Sequence, residues 1–266
     1  MRLPIYQVDA FADRLFAGNP AAVVPLETWL PEATMTAIAA ENNLAETAFF
    51  VPQDDGFALR WFTPEIEVPL CGHATLASAF VLMTKLEPSR THVRFHTKSG
   101  ALEVTRDGDL YALDFPSRGL EAAADPDAVA QALGGAPVAV SFSSDRYMAL
   151  YETPDEVRAL KPDMKKLLAT KYGRAIATAP GESRLGEPGC DFVSRFFAPS
   201  AGIDEDPVTG SSHCTLVPYW AKRLGKTKLV ARQVSKRGGT LFCEDAGLRT
   251  IMSGRAQLYL EGSIHV

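Results

Sequence analysis

Residues 60–64 read Arg60-Trp61-Phe62-Thr63-Pro64, and 135 residues later the chain reads Arg195-Phe196-Phe197-Ala198-Pro199. Behind each stands a loop with a proline and a glycine, Pro69-Leu70-Cys71-Gly72-His73 in one and Pro207-Val208-Thr209-Gly210-Ser211 in the other. Each loop leads into an apolar, small-residue stretch. The offset is about half of a 266-residue chain. A strand, a proline-containing loop, a glycine and an apolar helix, repeated in that order, are what a duplicated domain leaves behind. At roughly 100–200 residues per domain, the length accommodates two such halves.

The stretch Thr75 to Met83 carries almost no polar face, and a helix that is apolar all round must be buried all round. Alternating segments predict strands at 3–10, 20–25, 45–51, 57–63, 92–97, 100–106 and 109–115 in the first half. The second half predicts strands at 137–142, 146–151, 174–179, 190–198, 228–236, 239–243 and 247–252, with one or two more in 256–266. Helices are expected at 31–42, 72–86, 126–134, 154–168 and 210–224. With about seven strands beside each repeat helix, the economical architecture is α+β: a strongly curved sheet wrapped around a central helix, occurring twice. Pro218, inside the second repeat helix, removes a backbone N–H and is expected to kink or interrupt it.

Composition narrows the partners. Against 27 basic side chains stand 32 acidic ones, a net charge of −5, which gives no electrostatic reason to bind a nucleic acid, whose phosphates call for clustered Lys and Arg. The nearest basic cluster, Lys222, Arg223, Lys226 and Lys228, reads as a solvated helix end and strand start. The longest apolar stretch falls far short of the ~18 residues a membrane span needs, and the first residues alternate like a strand, with no signal-peptide cleavage pattern. The expected location is cytoplasmic. Cys71, Cys190, Cys214 and Cys243 form no CxxC pair, so neither disulfides nor a zinc site is expected. His92 and His96 lie on a strand-like segment, about 13 Å apart on one face, too far to share a metal ion. No metal is predicted, and no nucleotide-binding or GxSxG motif occurs.

Helix N-termini present free N–H groups and partial positive charge. Two of them, starting at Gly72 and Gly210 and facing each other across a domain cleft, make a seat for an anionic substrate, most simply a carboxylate. His73 and Ser211 each follow the glycine and are expected at its mouth. Asp206 precedes Pro207, where a carboxylate caps N–H groups or acts as acid or base. Glu46 stands at the start of an otherwise apolar strand; burial would raise its pKa toward neutrality, which suits a proton carrier. Cys71 at a helix start is placed for a lowered pKa and a role as nucleophile or base, but its repeat partner is Thr209, which disfavours a two-thiol racemase.

At these residues the sequence resembles the PhzF-type phenazine-biosynthesis family, whose fold is similar to that of diaminopimelate epimerase. The carriers are Asp9 to Asp13 with Gly18-Asn19-Pro20, Asn43 to Thr47, Arg60 to Pro64, Leu70 to Thr75, Asp204 to Ser211, and Ser253 to Gly262. The resemblance implies two pseudo-symmetric domains, each a β-sheet barrel around a central helix: 1–116 plus 255–266, and 117–254. It implies catalytic roles for Glu46, His73, Asp206 and Ser211, and substrate binding by Gly72, Gly210, Cys71 and Thr209. It also implies a homodimer that works without cofactor; the phenazine-pathway enzyme isomerises a dihydro-hydroxyanthranilate, its glutamate moving a proton between ring carbons.

Three functions are thus expected to compete. The first is a cofactor-independent isomerase moving a proton on a small cyclic or unsaturated carboxylate, with Glu46 as general acid and base. The second is an amino- or imino-acid epimerase using Cys71, and the third a non-catalytic small-acid binder.

Overall fold

A computed structural model describes residues 1–182 and 189–266. In chain order the first half holds β1 (Arg2–Ala10), β2 (Asn19–Pro25), α1 (Glu32–Asn42), β3 (Glu46–Gln53), β4 (Gly56–Phe62), β5 (Glu67–Val68), α2 (Gly72–Val81), β6 (His92–Thr97), β7 (Gly100–Asp107) and β8 (Leu110–Pro116). The second half holds β9 (Glu121–Ala122), α3 (Pro126–Leu133), β10 (Ala139–Ser143), β11 (Arg146–Leu150), α4 (Pro154–Ala159), α5 (Met164–Leu168), β12 (Ala175–Pro180), β13 (Phe192–Ala198), β14 (Ile203–Asp206), α6 (Gly210–Leu224), β15 (Lys228–Gln233), β16 (Gly239–Asp245) and β17 (Arg249–Gly254). One long strand, β18 (Ala256–His265), closes the chain. Two compact units result, Met1–Asp114 with Ser253–Val266, and Phe115–Met252.

In the first unit β18 pairs antiparallel with β1, which pairs with β2. The β2–β3 and β4–β6 pairs are parallel, whereas β3–β4, β4–β5 and β6–β7 are antiparallel. The helix α2 packs on β1, β2, β3 and β18. Eight of its ten residues are buried, from His73 through Val81 with the exception of Phe80, as a helix without a polar face requires. It then runs on as a π-helical turn, Leu82–Leu86.

The second unit repeats the plan strand for strand. Here β11–β12 and β13–β15 are the parallel pairs, and β12–β13, β13–β14 and β15–β16 the antiparallel ones. Trp220 of α6 stacks on Phe192 and donates its indole N–H to Thr178 Oγ1 at 3.0 Å, seating the helix on the sheet. The repeated five-residue motif acquires a physical meaning. Arg60 donates from Nε and Nη2 to the two carboxylate oxygens of Glu67 on β5, at 2.8 and 2.6 Å, and lies over the Phe62 ring. Arg195 donates likewise to Glu205 on β14, at 2.7 and 2.9 Å, and lies over Phe197. In each unit a bidentate arginine, a fork geometry that carboxylates match, fastens the short strand that precedes the central helix.

Two expectations about helices are corrected. The helix expected over 154–168 is two helices, because Pro162 follows the end of α4 and a proline disfavours helical geometry in the residue before it. Each piece has its own cap: a Thr153–Glu156 capping box for α4, and the Asp163 side chain for α5. Conversely, the interruption expected as one outcome at Pro218 does not occur, and α6 runs from Gly210 to Leu224. The carbonyl that Pro218 cannot bond, four residues back on Cys214, accepts instead from the backbone N–H of Arg118 at 2.8 Å. The helix therefore continues without an orphaned acceptor.

Candidate active site

In the first unit the αL conformation of Asn43 (φ 49°) ends α1, and Glu46 follows as the first residue of β3, paired with Ala21 of β2. The next strand pair leads through the loop behind β5 to Cys71, the extended residue that precedes α2. His73, 6% exposed, is thereby held two residues after Cys71 with its Nε2 3.2 Å from Glu46 Oε2. Cys71 Sγ is 3.5 Å from His73 Nδ1 and 4.0 Å from Nε2. Sequence reasoning had named all three residues, and the fold brings them together with Gly72 between them in the chain.

The electrostatics differ from the sequence expectation. Burial is the largest influence on Glu46 and pushes its pKa up, but the charge and hydrogen bond of His73, with a hydrogen bond from Cys71, bring it below the ordinary 4.5. Burial likewise opposes the charge on His73, yet Cys71 and Glu46 together hold its pKa well above 6.5. The pair is thus a carboxylate and an imidazolium near neutral pH. The Cys71 thiol is pushed up, first by burial and then by Glu46, so the lowered pKa expected at the helix start is not realised.

One oxygen, one sulfur and one nitrogen of Glu46, Cys71 and His73 lie within 4.8 Å of one another, a donor set able to hold a small divalent ion. An ion there would take the carboxylate oxygen out of proton transfer.

In the second unit the loop Asp206–Thr209 is held by a residue that sequence reasoning missed. Gln233, fully buried at the end of β15, accepts from the Thr209 backbone N–H at 2.9 Å and donates to the Asp206 carbonyl at 2.7 Å. A buried amide in a strand end is the signal for such a clamp, because buried polar groups require partners. Asp206 Oδ2 accepts from Thr209 Oγ1 at 2.5 Å, which gives the threonine a hydroxyl role where the first unit has a thiol. Ser211 stands in the first turn of α6, and Arg146 Nη1 donates to its Oγ at 2.8 Å. Arg146 carried no motif in the sequence.

His213, two residues further along α6, is fully buried with its pKa pushed down by burial to about 4. It is neutral, its Nδ1–H donating to the Thr209 carbonyl at 2.8 Å. Neither α2 nor α6 has a side-chain cap at its N-terminus, so the first N–H groups of each have no competitor from the residue before the helix.

Among the described residues no helix is long and apolar enough to cross a membrane. A family model described as "Phenazine biosynthesis-like protein" matches residues 8–262. An uncharacterized isomerase of Pseudomonas aeruginosa is 49% identical over 266 residues, covering all of both chains. Among solved structures, a PhzF-family phenazine biosynthesis protein of Enterococcus faecalis is 45% identical with a TM-score of 0.95, again over all of both chains. A predicted epimerase of Pseudomonas aeruginosa, 23% identical, shares the fold alone, with a TM-score of 0.73 over 99% of both chains. With its repeated sheet and central helix, this chain belongs to the PhzC-PhzF family of phenazine biosynthesis-like proteins.

Proposed function

We propose that this isomerase shifts a proton between carbons of a small cyclic or unsaturated carboxylate, with Glu46 as the proton carrier. The observation that supports it is the Glu46–His73 pair, 3.2 Å apart at the start of a buried helix. The Glu46 carboxylate takes a proton from a carbon whose electron pair then delocalises into the adjoining unsaturation. The neutral carboxyl, its proton exchanging with solvent, delivers a proton to a different carbon, so the substrate's composition is unchanged and no net oxidation occurs. His73, as imidazolium, holds Glu46 as the anion before the transfer and offers a hydrogen bond to charge that develops beside it. Gly72 and Gly210 contribute N–H groups, and Ser211 its hydroxyl, for the carboxylate of the substrate; Thr209 borders the site with its O–H donated to Asp206, the second acidic group. The same proposal takes the enzyme to be a cytoplasmic homodimer that needs no cofactor, on the strength of the family; sedimentation at micromolar concentration tests the dimer.

Incubation of the protein in deuterated buffer with a dihydro-hydroxyanthranilate and with related ring carboxylates is expected to put deuterium into the ring. Binding without exchange on any of them would favour a small-acid binder. The Cys71→Ser variant separates isomerase from epimerase. Because burial opposes a thiolate at Cys71, the variant is expected to lose less than about tenfold in rate, whereas loss of a true second base costs about 10²–10⁴-fold.

The rate–pH profile supplies a further test. Activity is expected to fall in acid as Glu46 takes up a proton, at a pH below 4.5, and in base as His73 loses one, well above pH 6.5. In His73→Gln the charge and hydrogen bond that do most to lower the Glu46 pKa are removed, while burial and the lesser hydrogen bond from Cys71 remain. The acid limb therefore moves to higher pH; an unmoved limb would show that His73 does not set the state of Glu46.

A further inference from the structure

Arg146 is 5% exposed at the start of β11. Its Nε and Nη2 donate to the carboxylate of Asp145 at 2.9 and 3.3 Å, its Nη1 donates to Ser211 Oγ at 2.8 Å, and its plane lies over the Phe196 ring, 4.9 Å from the centroid. The same carboxylate receives Arg174 Nη1 at 2.8 Å and has Arg118 Nη1 at 3.8 Å. Three guanidiniums thus share one carboxylate, and the cluster beside the start of α6 carries an excess of positive charge. A guanidinium has donors only, and a serine hydroxyl has one O–H and two acceptor positions. In this contact Ser211 Oγ is therefore the acceptor, which leaves its single O–H to donate elsewhere.

We propose that Arg146 is a positioning residue: it occupies an acceptor side of Ser211 and so presents the serine O–H to a carboxylate oxygen of the substrate, beside a cationic cluster that favours the anion. This rests on the proposal that Ser211 holds the substrate. A purely structural arginine would instead serve only to fasten β11 through its fork to Asp145.

Anthranilate, a ring carboxylate that cannot be turned over by a proton shift on a saturated carbon, is the probe, with affinity read by calorimetry on the full chain. Ser211→Ala and Arg146→Gln are each expected to weaken binding about tenfold, the scale of a hydrogen bond to a charged group. The double variant is expected to be no more than about twofold weaker than either single one, because both remove the same interaction. Arg146→Lys keeps the charge and a donor for Ser211 but loses the fork, and is expected to bind within about threefold of the unsubstituted protein.

Multiplicative losses in the double variant, equal losses for Lys and Gln, or no anthranilate binding by the unsubstituted protein would each overturn the proposal. Should Arg146→Gln not fold, Arg146→Lys against Ser211→Ala carries the comparison: Lys binding as weakly as the alanine variant overturns it. The measurement needs no turnover. A failed exchange assay, which would sink the isomerase proposal, therefore leaves the coupling between Arg146 and Ser211 readable.

Discussion

Glu46→Gln is expected to abolish deuterium exchange, with a loss of at least about 10³-fold, while the protein stays folded. Glutamine has nearly the shape of glutamate and keeps the β3 backbone paired with β2 at Ala21, so the sheet has no reason to move. What disappears is the basic oxygen 3.2 Å from His73 Nε2. Two readouts should change together. The exchange rate falls, and His73, deprived of one of the influences that raise its pKa, becomes easier to deprotonate because burial opposes its charge. A proton NMR titration of His73 therefore shifts to lower pH in the variant. Exchange that survives the substitution at near-normal rate would remove Glu46 from the mechanism, whatever His73 does.

The largest expected effect on stability comes from Gly18→Ala. Gly18 adopts φ +67°, and a Cβ on it would sit 2.2 Å from the Ala10 carbonyl oxygen and 2.8 Å from Ala12 Cβ. The first obstacle is backbone of β1, which cannot rotate away as a side-chain end can. The turn is also tied down: Phe16 N–H donates to Asp9 Oδ2 at 2.9 Å, and Ala12 N–H donates to the Arg255 carbonyl at 3.0 Å. Left-handed backbone alone costs an alanine about 1–2 kcal/mol, and overpacking against a fixed neighbour adds about 1–3 kcal/mol. A fall in Tm of about 10 °C is expected for a chain of this size. Gly108→Ala is the control, since Gly108 has a similar φ of +60° but open space around its Cβ position; it should lose only the first contribution. Equal losses for the two would mean that the contact with Ala10 is not what requires glycine.

Much of this was readable from residue order, for identifiable reasons. The apolar run after Cys71 announced a helix buried on all sides because no polar face was available to meet water, and α2 is buried in that way. The repeated arginine motif marked the duplication because the same bidentate pairing has to be made twice. Other features depend on partners distant in the chain. The pKa of Glu46 is decided by a histidine 27 residues on, so burial alone suggested the wrong direction. Pro218 looked like a break because the acceptor it strands on Cys214 is satisfied from Arg118, at the entry to the second unit. Arg146 and Gln233 belong to no motif; only the folded sheets bring them to Ser211 and Thr209.

The paired Arg60–Glu67 and Arg195–Glu205 clamps carry an implication about descent. A gene that doubled left two copies of one cradle, and the fastenings before both central helices still match. The positions beyond the fastenings have diverged: a thiol and an imidazole at Cys71 and His73, two hydroxyls at Thr209 and Ser211. Under the proposed function the groups that move the proton all stand in the first half, while the second supplies groups that only hold, so a doubled fold has come to divide one task between its copies.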